Sequence, residues 1–258
     1  MRYPDGLFGW VDIMTRDPQR ATEFYEGLFG WTHTDQPTPM GPPYTQFFKD
    51  GQLVAGLSPM MPGVPESVGA FWNSYVIVED ADATLAKVEP AGGTVTMPAM
   101  DVMDQGRMAM VMDPTGAAVG LWQPAEHQGA DLFNAPGSLT WNELQTRDLD
   151  AARPFYAAVF GWEWGQGPDE GYYLANLPSK PGDDKTNAGA MTTPPGVPDE
   201  APNVWMVYFA VDDCDTSMAA AQELGGQVFL PAMDMGPGRF GGLIDPTGGM
   251  FLVMAFSG

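Results

Sequence analysis

The sequence has few of the residues that mark disulfide frameworks, metal centres or nucleic-acid binding. Of its 258 residues only one is cysteine and two are histidine, and 11 Lys and Arg stand against 33 Asp and Glu, for a net charge of -22. A single cysteine excludes an intrachain disulfide, and we interpret Cys214 as a buried or incidental thiol. The acidic balance disfavours nucleic acid and anionic membranes as partners, because their phosphates would be repelled.

Long apolar runs and an N-terminal signal pattern are also missing. No run approaches the roughly 20 apolar residues of a membrane-spanning helix, and no basic and apolar segment precedes Trp10. Gly-rich phosphate loops and Ser-His-Asp sets are absent as well. We therefore expect a cytoplasmic protein.

What the sequence does contain is a long internal repeat. In the first copy Trp10 to Asp17 leads to Phe24-Tyr25 and Phe29-Gly30-Trp31, and a later Asp-Pro-Thr-Gly follows at 113–116. The second copy repeats this order with Trp141 to Asp148, Phe155-Tyr156, Phe160-Gly161-Trp162 and Asp-Pro-Thr-Gly at 245–248. Solenoid repeats are only about 20 to 50 residues long. The repeat therefore predicts two domains, at 5–124 and 138–257, joined by a linker at 125–137.

Each copy is predicted to contain two βαβββ modules. Strands at 10–15 and 141–146 lead into helices capped by Asp17 and Asp148, and strands at 73–78 and 206–211 lead into helices capped by Asp80 and Asp213. The helix after Asp80 is predicted to run to about Pro90. Pro154 is predicted to lie within the first turn of its helix, because proline breaks a helix interior.

This ordered set of motifs resembles the vicinal oxygen chelate superfamily, which includes glyoxalase I, extradiol dioxygenases, fosfomycin resistance enzymes and bleomycin-binding proteins. The resemblance covers nearly the whole chain, and it is greatest to duplicated actinobacterial proteins, some of them associated with aromatic polyketide pathways. It implies an α+β fold in which four βαβββ modules form two curved-sheet cups with helices outside. Because two fused halves replace the domain pair of dimeric relatives, we expect a monomer or a homodimer.

Metal-binding members of the superfamily place their ligands at three kinds of position, on the first strand, on the fifth strand and after the Asp-Pro-x-Gly turn. In this sequence these positions hold Trp10, Trp141, Asn73, Met206, Gly120 and Leu252. Such side chains do not form a hard-metal site, so we expect neither a metal nor another cofactor. His33 and His127 lie elsewhere and are interpreted as exposed or structural. A rearranged site of Asp12, Glu143 and His33 is an alternative.

The alternation of side chains along a strand predicts what lines each cup. Val11, Ile13, Asn142 and Leu144 are placed on the helix side. The predicted ligand-binding residues are Trp10, Met14, Asn73, Trp122, Trp141, Gln145, Met206, Met250, Leu252 and Met254. This aromatic and methionine-rich lining suits a flat, hydrophobic or aromatic small molecule, although the same residues would also serve as plain core.

A carboxylate follows the tryptophan at the same spacing on both first strands, as Asp12 and Glu143. Burial would raise the pKa of such a group and suit it to general acid or base catalysis. Tyr75 and Tyr208 would donate hydrogen bonds to a substrate oxygen. The sequence thus predicts a metal-independent enzyme of secondary metabolism, acting on an aromatic or polyketide-like metabolite. The alternatives are a non-catalytic protein that sequesters a drug or metabolite, and a divalent-metal glyoxalase or dioxygenase with displaced ligands.

Overall fold

The computed structural model describes residues 3–39 and 41–257, and this part of the chain contains four α-helices and sixteen β-strands. The helices are α1 (Pro18–Phe29), α2 (Ala81–Val88), α3 (Leu149–Phe160) and α4 (Cys214–Glu223). The strands of the first copy are β1 (Phe8–Thr15), β2 (Thr32–Gln36), β3 (Tyr44–Lys49), β4 (Gln52–Pro59), β5 (Phe71–Ile77), β6 (Thr94–Val102), β7 (Gly106–Met112) and β8 (Ala118–Pro124). Those of the second copy are β9 (Leu139–Thr146), β10 (Glu163–Gln166), β11 (Tyr172–Asn176), β12 (Thr186–Thr192), β13 (Val204–Ala210), β14 (Gln227–Met235), β15 (Gly238–Ile244) and β16 (Met250–Phe256).

The strands form two open, curved sheets, and each sheet is built from one copy. Strand order is β2-β3-β4-β1-β5-β8-β7-β6 in the first sheet and β10-β11-β12-β9-β13-β16-β15-β14 in the second. In the first sheet β1 pairs in parallel with β4, and β5 with β8. In the second sheet β9 pairs in parallel with β12, and β13 with β16. The predicted α+β fold with four βαβββ modules is confirmed.

All four helices begin after an aspartate, as the sequence predicts. The carboxylates of Asp17, Asp80, Asp148 and Asp213 each accept a backbone N–H three residues later, over 3.1, 2.9, 2.9 and 2.7 Å. A cap of this kind contributes about 1 kcal/mol. Helices α1 and α3 are followed by Gly30 and Gly161, the glycines of the Phe-Gly-Trp motif, which adopt the left-handed conformation and end each helix.

Two local predictions are wrong. Pro154 lies in the second turn of α3 and not in the first. The helix accommodates it because the carbonyl of Asp150, which loses its N–H partner, belongs to an exposed residue and can bind water. Helix α2 ends at Val88, two residues before the predicted position. Pro90 has no N–H for the carbonyl of Ala86, which interrupts the regular helical bonds, although the N–H of Ala91 still donates to the carbonyl of Lys87 over 3.2 Å.

The chain divides into two compact units, and each unit contains segments of both copies. Unit 1 combines the segment up to Trp10 with Ser74–Gly129 and Trp141–Met206. Unit 2 combines Val11–Asn73 with Ala130–Thr140 and the segment from Val207 onward. Each unit has its own apolar core between two helices and the helix-facing side of its strands.

A buried hydrogen-bond chain in each unit explains the Phe-Tyr motif and the Asp-Pro-Thr-Gly turn. In unit 2 Trp72 Nε1 donates to Tyr25 Oη over 3.0 Å, and Tyr25 Oη donates to Asp245 Oδ2 over 2.7 Å. The other oxygen of Asp245 accepts the backbone N–H groups of Thr247 and Gly249 within the turn. Unit 1 repeats the chain with Trp205, Tyr156 and Asp113. Burial, and next the aspartate charge, raise the pKa of Tyr25 and of Tyr156 well above the ordinary value.

Candidate functional site

The first strand of each copy places a carboxylate on the face that points away from the helices. Val11 and Ile13 of β1 belong to the core of unit 2, and Leu144 of β9 belongs to the core of unit 1. Because side chains alternate along a strand, Asp12 and Glu143 lie on the opposite face. Both are buried nonetheless, with 6% and 5% of their surface exposed. Each carboxylate therefore needs hydrogen-bond donors in place of water.

In unit 1 Glu143 receives hydrogen bonds from two neutral side chains. Tyr172 Oη donates to Glu143 Oε2 over 2.9 Å, and Gln145 Nε2 donates to Glu143 Oε1 over 3.0 Å. The indole N–H of Trp141 in turn donates to Tyr172 Oη over 2.9 Å. Each bond places a donor on one carboxylate oxygen, in place of the water that burial removes. The three predicted residues Trp141, Glu143 and Gln145 thus lie in one network.

Tyr172 holds this network together and was not predicted as a site residue. Burial, followed by the negative charge of Glu143, raises the pKa of Tyr172 well above its ordinary value. The phenol therefore keeps its proton and acts as a donor. Gly189, which pairs with Glu143 across the sheet, leaves the room that the phenol needs. A Cβ at Gly189 would come within 2.0 Å of Tyr172 Oη and 2.9 Å of Trp141 Nε1.

Asp12 has the corresponding partners in unit 2. Tyr44 Oη donates to Asp12 Oδ2 over 3.2 Å, and Asn73 Nδ2 donates to Asp12 Oδ1 over 2.9 Å. Tyr44 begins β3 as Tyr172 begins β11, and the strand registers place the two tyrosines at matching positions. The tyrosine that donates to the carboxylate is therefore a feature of both copies.

The amide side chain that donates to the carboxylate lies on different strands in the two copies. In the first copy the amide is Asn73 on β5, and the position on β1 that matches Gln145 is Met14. In the second copy the amide is Gln145 on β9, and the position on β13 that matches Asn73 is Met206. Each copy thus pairs one amide with one methionine. The exchange keeps an amide donor on each carboxylate.

The tryptophan beside the carboxylate also differs between the copies. Trp10 is buried, with 3% of its surface exposed, and its ring lies 4.4 Å from that of His127. Trp122, another predicted lining residue, donates its indole N–H to the carbonyl of His127 over 2.9 Å. Trp141 in the second copy is only partly buried. The sequence did not predict this aromatic contact, because it placed His127 in the linker.

The positions that hold metal ligands in the superfamily do not fit a metal here. Gly120 lies under the ring of Tyr75, so close that a Cβ would come within 2.2 Å of the ring. Leu252 pairs in register with Tyr208 and is buried, and Asn73 is engaged by Asp12. No group of three or more His, Cys, Asp and Glu side chains within residues 3–39 and 41–257 is placed to hold a metal ion.

The remaining predicted residues of the second copy lie in unit 2 on β13 and β16. Tyr208, Leu252 and Met254 are buried, whereas Met250 is 43% exposed. Phe240, which the sequence did not predict, has its ring 6.4 Å from that of Tyr208. Phe229, also unpredicted, lies against Gly242 and is 38% exposed. Unit 2 therefore presents methionine and aromatic side chains, some of them open to solvent.

Several polar groups outside the carboxylate networks have structural contacts. His33 Nδ1 lies 2.7 Å from Glu26 Oε1 at the surface. Arg16 donates to the carbonyls of Val64 and Pro65, and thus holds a loop. Cys214 is buried as expected, and burial raises the pKa of its thiol to about 11. No helix among the described residues is long and apolar enough to cross a membrane.

Family models match both copies. The model of the glyoxalase/bleomycin resistance protein/dioxygenase superfamily matches residues 7–121, and that of a glyoxalase-like domain matches residues 141–254. Among solved structures, the chain is similar to the Mn(II)-bound glyoxalase from Novosphingobium aromaticivorans, with a TM-score of 0.67, 14% identity and coverage of 98% of this chain and 83% of that one. It is also similar to the 2,3-dioxygenase LapB from Pseudomonas sp. KL28, with a TM-score of 0.65, 13% identity and coverage of 100% and 94%. At such identities these likenesses show the fold.

Named relatives match over nearly the whole chain. A Mycobacterium tuberculosis protein named "Putative glyoxylase CFP32" is 45% identical, and the match covers 98% of this chain and 95% of the relative. The "Anthracycline biosynthesis protein DnrV" of Streptomyces peucetius is 38% identical, and the match covers 98% of this chain and 94% of the relative. This chain therefore belongs to the glyoxalase/bleomycin resistance protein/dioxygenase superfamily, as a tandem pair of glyoxalase-like domains.

Proposed function

We propose that the protein is a metal-independent enzyme that moves a proton on a flat aromatic or polyketide-like small molecule, with Glu143 as the acid/base group. The observation that carries the proposal is the hydrogen-bonded network of Trp141, Tyr172 and Gln145 around the buried carboxylate of Glu143. Such a carboxylate is oriented, protected from water and close to an aromatic side chain. These are the properties that general base catalysis requires.

The proposed reaction is a tautomerisation of a carbonyl compound. Glu143 takes a proton from a CH₂ group that is conjugated with the carbonyl, either directly or through an aromatic ring, and the electron pair of the C–H bond moves to form the enol or phenol. The substrate oxygen gains one proton and the carboxyl group gives up the one it took, so that no oxidant or reductant is consumed. Tyr172 keeps its own proton throughout, because its pKa is raised. It orients Glu143 and stabilises the negative charge of the carboxylate.

The substrate class follows from the lining and from a relative. Trp141 offers an aromatic surface in unit 1, and aromatic side chains favour flat, apolar ligands. The name of the relative from Streptomyces peucetius refers to anthracycline biosynthesis, and anthracyclines are polycyclic aromatic compounds. Simple sequestration of such a compound is the second candidate, and the partly exposed Phe229 and Met250 of unit 2 favour it.

Anthrone, a tricyclic ketone with an acidic CH₂ group, tests the enzyme proposal. The protein is treated with EDTA, and deuterium uptake at carbon 10 of anthrone is followed by NMR in D₂O under nitrogen. We expect the wild type to accelerate exchange, and Glu143→Gln to reduce that acceleration by about 10²- to 10⁴-fold. Binding of 1,4-dihydroxyanthraquinone, measured by quenching of tryptophan fluorescence, is the control, and it is expected to persist in the variant.

Two results would contradict the proposal. Exchange that is unchanged in Glu143→Gln would remove Glu143 from the chemistry. Exchange that disappears with EDTA and returns with Mn²⁺ would indicate a metal enzyme. Binding of the anthraquinone without any acceleration of exchange would instead support sequestration.

A further inference from the structure

The linker between the two copies lies against the tryptophan of the first copy. The ring planes of His127 and Trp10 meet at 80° with 4.4 Å between centroids, which is an edge-to-face contact. The ring of His127 also lies 5.3 Å from that of Trp122. Both tryptophans are almost fully buried, with 3% and 5% exposed. All three residues belong to unit 1.

Backbone contacts hold this linker segment in place. The N–H groups of Ala125 and His127 both donate to the carbonyl of Gln105 over 3.0 Å. Trp122 Nε1 donates to the carbonyl of His127 itself. Gly129 lets the segment approach β1 closely, since a Cβ there would lie 2.6 Å from the carbonyl oxygen of Gly9. The imidazole is thus fixed at Trp10 by its own backbone.

The matching tryptophan of the second copy has a different environment. Trp141 is only partly buried, and its indole N–H is directed to Tyr172 of the Glu143 network. Trp10 and Trp141 occupy the same position in the repeat, two residues before the carboxylate. Trp10 therefore contacts the ring of His127 from the same chain, while Trp141 retains exposed surface.

We infer that His127 acts as an internal ligand of Trp10, so that the chain binds one external aromatic molecule, at Trp141, and leaves the first copy occupied by its own linker. This inference rests on the proposed function, because it takes Trp141 as a ligand contact. A ring tethered by its backbone competes at a high effective concentration, which a free aromatic molecule must exceed to displace it. The predicted ligand contacts Trp10 and Trp122 are thereby reassigned to the linker.

Two measurements on the full-length chain test the inference. Native mass spectrometry with 1,4-dihydroxyanthraquinone counts bound molecules, and hydroxyl-radical footprinting without any ligand compares the oxidation of Trp10 and Trp141. We expect one bound molecule in the wild type, its loss in Trp141→Ala, and faster oxidation of Trp141 than of Trp10. His127→Ala is expected to add a second bound molecule and to make Trp10 reactive. Glu126→Ala, at an exposed neighbouring residue of the linker, is the matched control and is expected to change neither.

The outcomes separate the inference from the proposed function. Two bound molecules in the wild type, or one that persists in Trp141→Ala, would overturn the inference while leaving aromatic binding intact. Equal oxidation of Trp10 and Trp141 in the wild type would overturn it even if the anthraquinone does not bind. Absence of binding together with a protected Trp10 would count against the proposed ligand class, and would support the internal contact.

Discussion

At the scale of single residues, the two copies stabilise equivalent buried carboxylates with different amides. Tyr44 and Tyr172 serve both in the same way, but the amide comes from Asn73 in one copy and from Gln145 in the other. If a buried carboxylate loses a donor, the protein is destabilised, because the group stays out of water without the hydrogen bond that replaced water. The two positions therefore differ together between the copies: where one holds methionine, the other holds the amide that donates to the carboxylate.

The contribution of Tyr172 can be measured by removing one oxygen atom. Tyr172→Phe deletes the donor to Glu143 and the acceptor of Trp141 while keeping the ring. We expect the free energy of unfolding to fall by about 1 to 3 kcal/mol, as measured by urea denaturation, together with a loss of the exchange activity. Tyr173→Phe is the matched control, because it retains the ring that lies 3.9 Å from the guanidinium of Arg153. An equal loss of stability in both variants would argue against the network.

Part of this site follows from the sequence, and part depends on loop lengths that differ between the copies. Strand alternation correctly places Asp12 and Glu143 on the face away from the helices. Tyr44 and Tyr172 could not be matched in this way, because the segments before β3 and β11 differ in length. His127 could not be placed either. A linker residue carries no periodic pattern that would show where its ring lies.

At the scale of secondary-structure elements, the capping aspartates predict correctly where helices begin, whereas the rule that proline breaks a helix misplaces Pro154. Four aspartates begin the four helices of the described chain, and glycines end two of them. Pro154 shows the limit of the argument from local rules. A proline in a helix interior loses one backbone bond, but an exposed position lets water replace that bond. Whether a carbonyl faces solvent is decided by tertiary packing.

Replacing this proline should stabilise α3. Pro154 is exposed, so Pro154→Ala removes little packing and restores the N–H that bonds Asp150. Alanine is favoured over proline within a helix by about 3 kcal/mol, and the greater freedom of the unfolded chain offsets about 1 kcal/mol of this. We expect a net stabilisation of about 1 to 2 kcal/mol, seen as a higher melting temperature. A lower melting temperature would show that the proline has a role which the helix geometry does not explain.

At the scale of the whole molecule, each sheet comes from one copy, whereas each apolar core draws on both. Tyr25 of the first copy donates to Asp245 of the second, and Tyr156 of the second donates to Asp113 of the first. The sequence predicts the duplication and the sheets, because strand and helix patterns are local. It does not predict the cores, since an amphipathic helix face does not specify which other helix it will meet.

The buried tyrosines predict how the stability of the molecule depends on pH. Burial raises the pKa of Tyr25, Tyr156 and Tyr172 in the folded protein, while tyrosine in the unfolded chain titrates near 10. Their stabilising effect is therefore complete below about pH 10 and declines above it, by about 1.4 kcal/mol per pH unit for each tyrosine. Urea denaturation between about pH 8 and 11 should show this decline. Tyr25→Phe should make it shallower, and an unchanged slope would contradict the assignment.

In the proposed function the duplicated carboxylates have diverged, and Glu143 performs the chemistry. The most direct test compares Glu143→Gln with Asp12→Asn in the anthrone exchange assay after treatment with EDTA. We predict that Glu143→Gln loses about 10²- to 10⁴-fold of the acceleration, whereas Asp12→Asn stays close to the wild type. Equal losses in the two variants, or a loss confined to Asp12→Asn, would contradict the account.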